Sequence, residues 1–190
     1  MIQLRDLNES DRASVLKWRN LPAVRRWMYS DHIIDKESHN MWFNEVVSDV
    51  SKRYWIIEFD GRSVGVANLT NINPRFLRCD WAFYIADESV RGKGVGAATE
   101  FIVLEYAFYQ LRLEKVCCEV IEGNDAVVAM HQNFGFTIEG NLRSHIVKDG
   151  HRKAVVTLGL LKSDWELSRE GSRKRLVERG SISPSGSYLA

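Results

Sequence analysis

The chain has 190 residues, of which 45% are hydrophobic and 27% are charged. These proportions are ordinary for a soluble globular domain, and they exclude wholesale disorder, a collagen-like repeat and a coiled coil. The 26 lysine and arginine residues and the 25 aspartate and glutamate residues leave a formal net charge of +1. The net charge is therefore too small to attract nucleic acid or an anionic membrane, and any polyanion must bind at a local cluster of positive charge.

The N-terminal residues and the apolar segments give no indication of export or of membrane insertion. Arg5 and Asp6 place charge before any apolar segment that a secretory signal would need. The apolar segments 101–104 and 154–161 are far shorter than the roughly 20 residues that cross a bilayer. We therefore expect a cytoplasmic protein that does not enter a membrane.

The three cysteines, Cys79, Cys117 and Cys118, form an odd and sparse set. The adjacent pair would point to opposite faces of a strand, which argues against a disulfide between them. A nucleophilic cysteine is the alternative, but nothing in the sequence marks one as activated. The chain also lacks Cys-x-x-Cys and His-Glu-x-x-His spacings, so we predict buried thiols and no metal site.

The first half of the chain predicts a strand, two helices and an antiparallel meander. Residues 2–5 alternate apolar and polar like a strand, and the spacing over 13–18 and 37–50 is helical. Turn residues at Asp60-Gly61 and Asn73-Pro74 separate the apolar runs that follow. The predicted strands of the meander are 55–59, 64–69 and 81–85.

The second half predicts a strand–helix–strand crossover, a short helix and a hairpin. Apolar residues recur at helical spacing over 97–109, and a buried-looking strand follows at 116–121. This crossover demands either parallel pairing or a splayed sheet. The last predicted elements are a helix at 125–133 and strands at 137–147 and 153–161, which turn at Asp149-Gly150.

The composition changes at the C-terminal end, where arginine, glutamate and serine dominate. Such a segment has too few apolar residues to build a core. We therefore divide the chain into a folded domain at 1–162 and a polar extension at 163–190, which we expect to form a frayed helix followed by a disordered tail.

Three glycines and two cations stand between the predicted strand ending at Ile85 and the next helix, in the sequence Arg91-Gly92-Lys93-Gly94-Val95-Gly96-Ala97. Glycines let backbone N–H groups approach an anion closely, and the helix dipole and the cations favour a phosphate or pyrophosphate there. The spacing is not that of a Walker loop. The alternative is a glycine-rich turn that only needs positive φ.

The order of these elements, with Arg91-x-x-Gly-x-Gly96, Asn124 and Gly135-Phe136, resembles the GCN5-related N-acetyltransferase (GNAT) superfamily over about residues 1–162. The resemblance implies an α/β (α+β) GNAT fold, with a splayed, mostly antiparallel sheet of about seven strands and four helices. It also implies acetyl-CoA as the acetyl donor and an amine as the acceptor.

The resemblance assigns the acetyl-CoA site to residues of the glycine-rich turn and of the splayed strands. The pyrophosphate would bind the turn, and the pantetheine arm would lie between the strand ending at Tyr84-Ile85 and the strand 116–121. The cofactor-binding residues predicted in this way are Ile85, Arg91, Gly92, Lys93, Gly94, Val95, Gly96, Ala97 and Asn124.

Direct acetyl transfer needs a neutral amine, a polarised carbonyl and a protonated leaving thiol. The resemblance places the acid a few residues before Gly135-Phe136, where the family often has tyrosine and this chain has His131. A polar surface histidine is the alternative. Asp80 and Glu119 are the candidate bases, and Tyr84 is an alternative hydrogen-bonding group.

The segment from Trp18 to Tyr29 combines arginines with aromatic side chains that suit a nucleotide. With His39 and the strand 80–85, it is similar to the GNAT branch that acetylates the 4-amino group of a UDP-amino-deoxysugar in pseudaminic acid biosynthesis, for flagellin glycosylation. The substrate residues this implies are Arg25, Met28, His39, Thr70 and Trp81.

Other interpretations stay open at this point. The arginines and tryptophans of this segment suit an ordinary amphipathic helix pair as well. The acceptor could instead be a protein N-terminus, as in the ribosomal-protein alanine acetyltransferases, or the protein could bind acyl-CoA without catalysis. The final strands could pair with a second subunit, which weakly favours a homodimer.

Overall fold

Seven strands form one sheet in the order β1-β2-β3-β4-β5-β7-β6. A computed structural model describes residues 1–186 and 188–189. All neighbouring strands are antiparallel except β4 and β5, which are parallel, so the predicted mixed and mostly antiparallel sheet is confirmed. The strands are β1 (Ile2–Asp6), β2 (Arg53–Phe59), β3 (Arg62–Asn73), β4 (Arg78–Ile85), β5 (Lys115–Ile121), β6 (Thr137–Lys148) and β7 (His151–Leu161).

The described residues contain six α-helices where the sequence predicted four. They are α1 (Arg12–Arg19), α2 (Pro22–Arg25), α3 (Lys36–Ser48), α4 (Val95–Glu105), α5 (Asp125–Asn133) and α6 (Lys162–Glu178). The two helices beyond those four are α2, a single turn that begins at Pro22, and α6, the helix expected in the C-terminal extension. Proline suits the first position of a helix because its missing N–H would have no partner there. A π-helical turn, Tyr106–Gln110, continues α4.

The predicted hairpin turns have the backbone geometry that their residues favour. Asp60 and Gly61 have φ angles of 49° and 74°, and Asp149 and Gly150 have 49° and 77°. Two consecutive positive φ angles indicate the tight turn whose twist matches that of a hairpin. β6, which follows α5 and leads into the second turn, forms one edge of the sheet. A second copy of the chain could pair there, and the homodimer stays a prediction.

The parallel strands β4 and β5 pair over only three residues and then separate. The paired positions are Arg78 with Lys115, Cys79 with Val116 and Asp80 with Cys117. Beyond them, β4 continues to Ile85 and β5 to Ile121 without a ladder between the two strands. The N–H and C=O groups on these facing edges therefore have no strand partner, and the sheet opens into a cleft.

The larger core lies between the sheet and helices α4 and α6. It includes Phe101 and Leu104 of α4 and Trp55 and Leu69 of the meander, all of them buried. On the other face of the sheet, a small cluster of Val15, Ile56 and Val66 packs beneath α1 and α3. The sheet therefore has helices on both faces.

The C-terminal extension forms the predicted helix, as α6, and packs on the domain together with the described residues that follow it. Trp165 is fully buried against the rings of Phe101, Phe108 and Phe134. The buried residues Leu176, Ile182 and Tyr188 join the same core, whereas Ser187 and Ala190 lie outside the described residues. A few apolar side chains suffice because the segment completes an existing core and does not have to build one.

Replacing Trp165 with alanine tests this packing. The side chain is 0% exposed, so its removal should lower the free energy of unfolding by about 3–5 kcal/mol. Leu167→Ala, at a side chain of the same helix that is 88% exposed, is the matched control and should leave stability unchanged. Denaturant unfolding measures both variants. Equal stability of the Trp165→Ala variant and the unmodified chain would show that α6 does not contribute to the core.

Candidate active site

Two adjoining cavities occupy the cleft between β4 and β5. The inner cavity has a volume of about 310 Å³ and the outer cavity about 660 Å³. Inner-cavity residues come from α2, β4, β5 and α5, whereas the outer cavity extends to β3, β6 and β7. The walls common to both are Trp27, Met28, Trp81, Ala82, Cys118 and Glu119. A molecule that fills the inner cavity therefore meets one in the outer cavity at these residues.

The glycine-rich turn forms an anion-binding helix start beside the inner cavity. Gly92 and Gly94 have φ angles of 76° and 77°, and Gly94 is the cap residue of α4. The first hydrogen bond of the helix runs from the Ala98 N–H to the Gly94 carbonyl at 3.0 Å. The N–H groups of the three preceding residues, 95–97, therefore point out of the helix with no partner in it, which is the arrangement that binds a phosphate.

Gly96 is closely packed, and a side chain there would press on two others. A Cβ at this position would lie 3.3 Å from both the Phe83 ring and the Met130 sulfur. A Cβ on Gly94 would approach the Ser181 hydroxyl to 3.2 Å. The turn is thus packed between β4, α5 and the C-terminal segment, and its N–H groups have a fixed direction.

The other predicted cofactor residues lie at the turn or on the inner cavity. Arg91 lines the cavity and pairs with Glu88 at 2.9 Å, while the Lys93 ammonium is 5.9 Å from the centre of the Phe59 ring. Ile85 and Asn124 also line this cavity. Asn124 caps α5 without a side-chain hydrogen bond to it, so its amide can contact a bound molecule.

His131 lies on the wall of the inner cavity and forms a buried pair with Glu100. Its Nδ1 is 2.5 Å from the Glu100 Oε1, and the two side chains are 4% and 0% exposed. Burial raises the pKa of Glu100, and the imidazole opposes that shift. Trp81 and Phe136 contact the imidazole from the sides, at ring distances of 5.7 and 5.2 Å. With Nδ1 held, Nε2 is the ring nitrogen left for proton transfer.

Tyr84 packs away from this pair, although it forms part of the inner-cavity wall. Its ring joins the cluster of Val15, Ile56 and Val66 on the opposite face of the sheet. Its hydroxyl is buried without a hydrogen-bond partner in the described chain, and burial raises its pKa. A phenol held in its neutral form at this position is poorly suited to accept a proton from an amine.

The two candidate bases lie at different depths of the cleft. Glu119 lines both cavities and accepts a hydrogen bond from the Tyr29 hydroxyl. Asp80 lines only the outer cavity, where its Oδ2 accepts a hydrogen bond from the Asn71 amide at 2.7 Å. Neither carboxylate is paired with a cation among the residues described.

Three of the five predicted substrate residues line the outer cavity, namely Met28, Thr70 and Trp81. His39 does not, because α3 turns it into the protein, where it is 2% exposed and its Nε2 lies 2.9 Å from the Arg12 carbonyl. Arg25 lines neither cavity, and its neighbour Arg26 lines the inner one. The one-turn helix α2 decides which arginine of the pair faces the cleft.

The sequence reasoning missed several residues of the site. Tyr29, Asn71, Arg78 and Glu139 all lie on the outer-cavity wall but come from separate elements, and no sequence spacing connects them. Glu100 did leave a signal, since it is the single charge inside the apolar run 95–104.

No group of three histidine, cysteine or carboxylate side chains that could bind a metal ion occurs in the described part of the chain. Likewise, none of the described helices has the length and apolar character needed to span a membrane.

Comparison with known proteins gives a consistent result. Residues 2–137 match the family described as "Acetyltransferase (GNAT) domain". Acetyltransferase PseH from Campylobacter jejuni is 28% identical over 161 residues, which cover 82% of this chain and 99% of PseH. Spermidine N(1)-acetyltransferase from Escherichia coli is 23% identical over 164 residues, covering 86% of this chain and 88% of that protein.

The fold is also that of solved acetyltransferases. The structure of spermidine N-acetyltransferase from Vibrio cholerae in complex with CoA and spermine has a TM-score of 0.81 and 21% identity, covering 87% of this chain and 98% of that one. The GNAT fold predicted from the sequence is confirmed. The acetyl donor of this family is acetyl-CoA, and the unpartnered N–H groups of residues 95–97 fit its pyrophosphate.

Gly94→Ala tests the role of the turn. An alanine at a φ of 77° and 3.2 Å from the Ser181 hydroxyl should reorient the α4 amides and raise the Kd for acetyl-CoA about tenfold. Gly150→Ala is the matched control, because Gly150 has the same φ of 77° in an open turn that lines neither cavity. Isothermal titration calorimetry measures both. Equal Kd values for the two variants would exclude the turn from the binding site.

Proposed function

The chain belongs to the GNAT acetyltransferase family and is an acetyl-CoA-dependent N-acetyltransferase, and we propose that its acceptor is the 4-amino group of a UDP-amino-deoxysugar, as in pseudaminic acid biosynthesis. The similarity to PseH over 99% of that protein supports this acceptor. Because the chain belongs to an acetyltransferase family, we do not retain the alternative of a non-catalytic acyl-CoA-binding module.

The composition of the outer cavity carries the proposal. Trp27 offers aromatic surface that can cover a sugar ring, and Met28 and the largely buried Trp81 also line the wall shared with the inner cavity. Arg78 lines the outer cavity too. Guanidinium groups bind diphosphates through paired hydrogen bonds, so Arg78 can hold the diphosphate of a nucleotide-sugar.

Glu119 is the base of this proposal. Its carboxylate lines both cavities, so it lies where an acceptor amine in the outer cavity would meet an acetyl group in the inner one. It can take the proton of the amine directly or through a water molecule. Asp80 lines only the outer cavity, where it can orient the amine.

His131 is the acid of this proposal, and Glu100 positions it. Acetyl-CoA supplies an activated acetyl thioester, whose sulfur needs a proton as CoA departs. The His131 Nε2 can donate that proton, because the Glu100 carboxylate holds Nδ1 at 2.5 Å and fixes the orientation of the ring. Beyond Asp80, the N–H groups on the edge of β4 that faces β5 have no strand partner and are available to polarise the acetyl carbonyl.

The cysteines support direct transfer to the amine. Cys118 lines both cavities, but burial raises the pKa of its thiol well above the ordinary range. Burial also raises the pKa of Cys79, to about 12. A thiol is a good nucleophile only as the thiolate, so a covalent acetyl-cysteine step has no suitable group here.

A polyamine is the second candidate acceptor, and a specific feature favours it. The outer cavity carries three carboxylates, Asp80, Glu119 and Glu139, with Arg78 as its one cation among the described lining residues. Glu139 is paired with Lys115 at 2.6 Å, which reduces the negative potential available to a cationic chain. The similarity to spermidine acetyltransferases also supports a polyamine acceptor.

CoA release from acetyl-CoA identifies the acceptor. The purified chain is incubated with UDP-4-amino-4,6-dideoxy-N-acetyl-β-L-altrosamine, with spermidine or with a peptide that begins with alanine. We expect the nucleotide-sugar to give the highest kcat/KM. Highest turnover with spermidine would replace the proposed acceptor by a polyamine, and highest turnover with the peptide would assign a protein N-terminus.

His131→Phe tests the assigned acid. Phenylalanine keeps an aromatic ring against Trp81 and Phe136 but carries no proton, so kcat should fall about 10²-fold while the Kd for acetyl-CoA stays within twofold. Glu100→Gln should lower kcat roughly tenfold without changing KM, because the ring loses its charged partner.

The double variant separates positioning from a merely structural role. If Glu100 acts through His131, then adding Glu100→Gln to His131→Phe should lower kcat no further. Steady-state kinetics with the best acceptor measures all three variants. An unchanged kcat for His131→Phe would remove the histidine from catalysis, and additive losses in the double variant would give Glu100 a separate role.

A further inference from the structure

A third cavity lies on the far side of the glycine-rich turn from the inner cavity. This distal cavity has a volume of about 450 Å³, and α4, α5 and α6 all contribute to its wall. The polar residues of the wall are Asn133, Ser172, Arg175 and Arg179. Two guanidinium groups and no carboxylate line it, so its local charge is positive although the whole chain is nearly neutral.

The distal cavity is continuous with the anion-binding helix start. Ala97, whose N–H is one of the three unpartnered groups at the start of α4, lines this cavity. Gly96 lies against Phe83, a wall residue of the inner cavity, and against Met130, a wall residue of the distal one. A ligand bound at the turn therefore has the inner cavity at one end and the distal cavity at the other.

Contacts along α6 and at its C-terminal end fix the backbone that carries Arg175 and Arg179. Arg169 pairs with Glu105 of α4 through two hydrogen bonds of 2.7 Å, and the Ser168 hydroxyl donates to the Phe134 carbonyl at 2.8 Å. At the C-terminal end of the helix, Gly180 has a φ of 64° and the Ser181 N–H donates to the Leu176 carbonyl at 2.9 Å. This cap brings Ser181 against Gly94 of the turn.

We propose that α6 completes the acetyl-CoA site, with Arg175 and Arg179 binding the 3′-phosphate of the CoA adenosine. CoA has three chemically distinct parts: a pantetheine arm, a pyrophosphate and a 3′-phosphorylated adenosine. The inner cavity suits the arm, the helix start suits the pyrophosphate, and the distal cavity has the two cations that a terminal phosphate requires. The thioether of Met130 and the ring of Phe134 offer apolar surface to the adenine.

This assignment concerns a segment outside the common domain. The family match ends at residue 137, whereas α6 spans Lys162–Glu178. The proposal rests on acetyl-CoA as the donor and is independent of which amine is the acceptor.

Comparing CoA with 3′-dephospho-CoA tests the proposal, because the two ligands differ only in the phosphate. Calorimetry on the full chain should show a preference for CoA, and Arg175→Ala/Arg179→Ala should raise the Kd for CoA about tenfold while leaving the Kd for 3′-dephospho-CoA unchanged. Both side chains are exposed, so the double variant should fold normally, which thermal unfolding verifies.

Lys162→Ala/Lys174→Ala is the matched control. It removes two positive charges from the same helix, at side chains that do not line the distal cavity. It should leave the ratio of the two Kd values at the level of the unmodified chain. The proposal fails if the arginine variant keeps that ratio, if it weakens both ligands equally, or if the lysine control changes the ratio as much as the arginine variant does.

Discussion

The separation of β4 and β5 after three paired residues is the constraint on which the rest of the structure depends. Unpaired backbone groups in a sheet are costly unless water, a ligand or another part of the protein takes the place of the missing strand. The chain tolerates them here because helices cover both faces of the opening and leave a cleft between them. The same opening holds two adjoining cavities that share six wall residues.

The buried pair of His131 and Glu100 places a second feature of the proposed site on α4. The first turn of the helix presents N–H groups to an anion, and one turn further its buried carboxylate holds the imidazole. A buried carboxylate costs free energy unless it has a hydrogen-bonding partner. The side chain of α5 that faces Glu100 must therefore be polar. Displacement of α4 would disturb both sites together.

Much of the fold could be predicted from the sequence because it depends on local patterns. Alternation and turn residues such as Asp60-Gly61 gave the meander, and the glycine spacing of 92–96 gave the position of the anion-binding turn. The position of Arg25 could not be predicted, since a one-residue rotation of a short helix decides which arginine faces a cavity. That of His39 depends on how α3 packs on α1, where its ring meets the Arg12 carbonyl. The burial of Trp165 depended on a core built by residues far away in the sequence, which composition does not report.

The hydrogen bond between Tyr29 and Glu119 has a consequence for the order of events in the cleft. Tyr29 comes from the segment between α2 and α3, and its neighbours are attached to the hairpin of β6 and β7, where the Lys148 ammonium lies 3.4 Å from the Ser30 carbonyl. If Glu119 is the base, as proposed above, the phenol occupies the carboxylate that an entering amine would use. Arrival of the acceptor would then exchange one donor for another at Glu119, and the base would be uncovered only in the presence of the molecule it deprotonates.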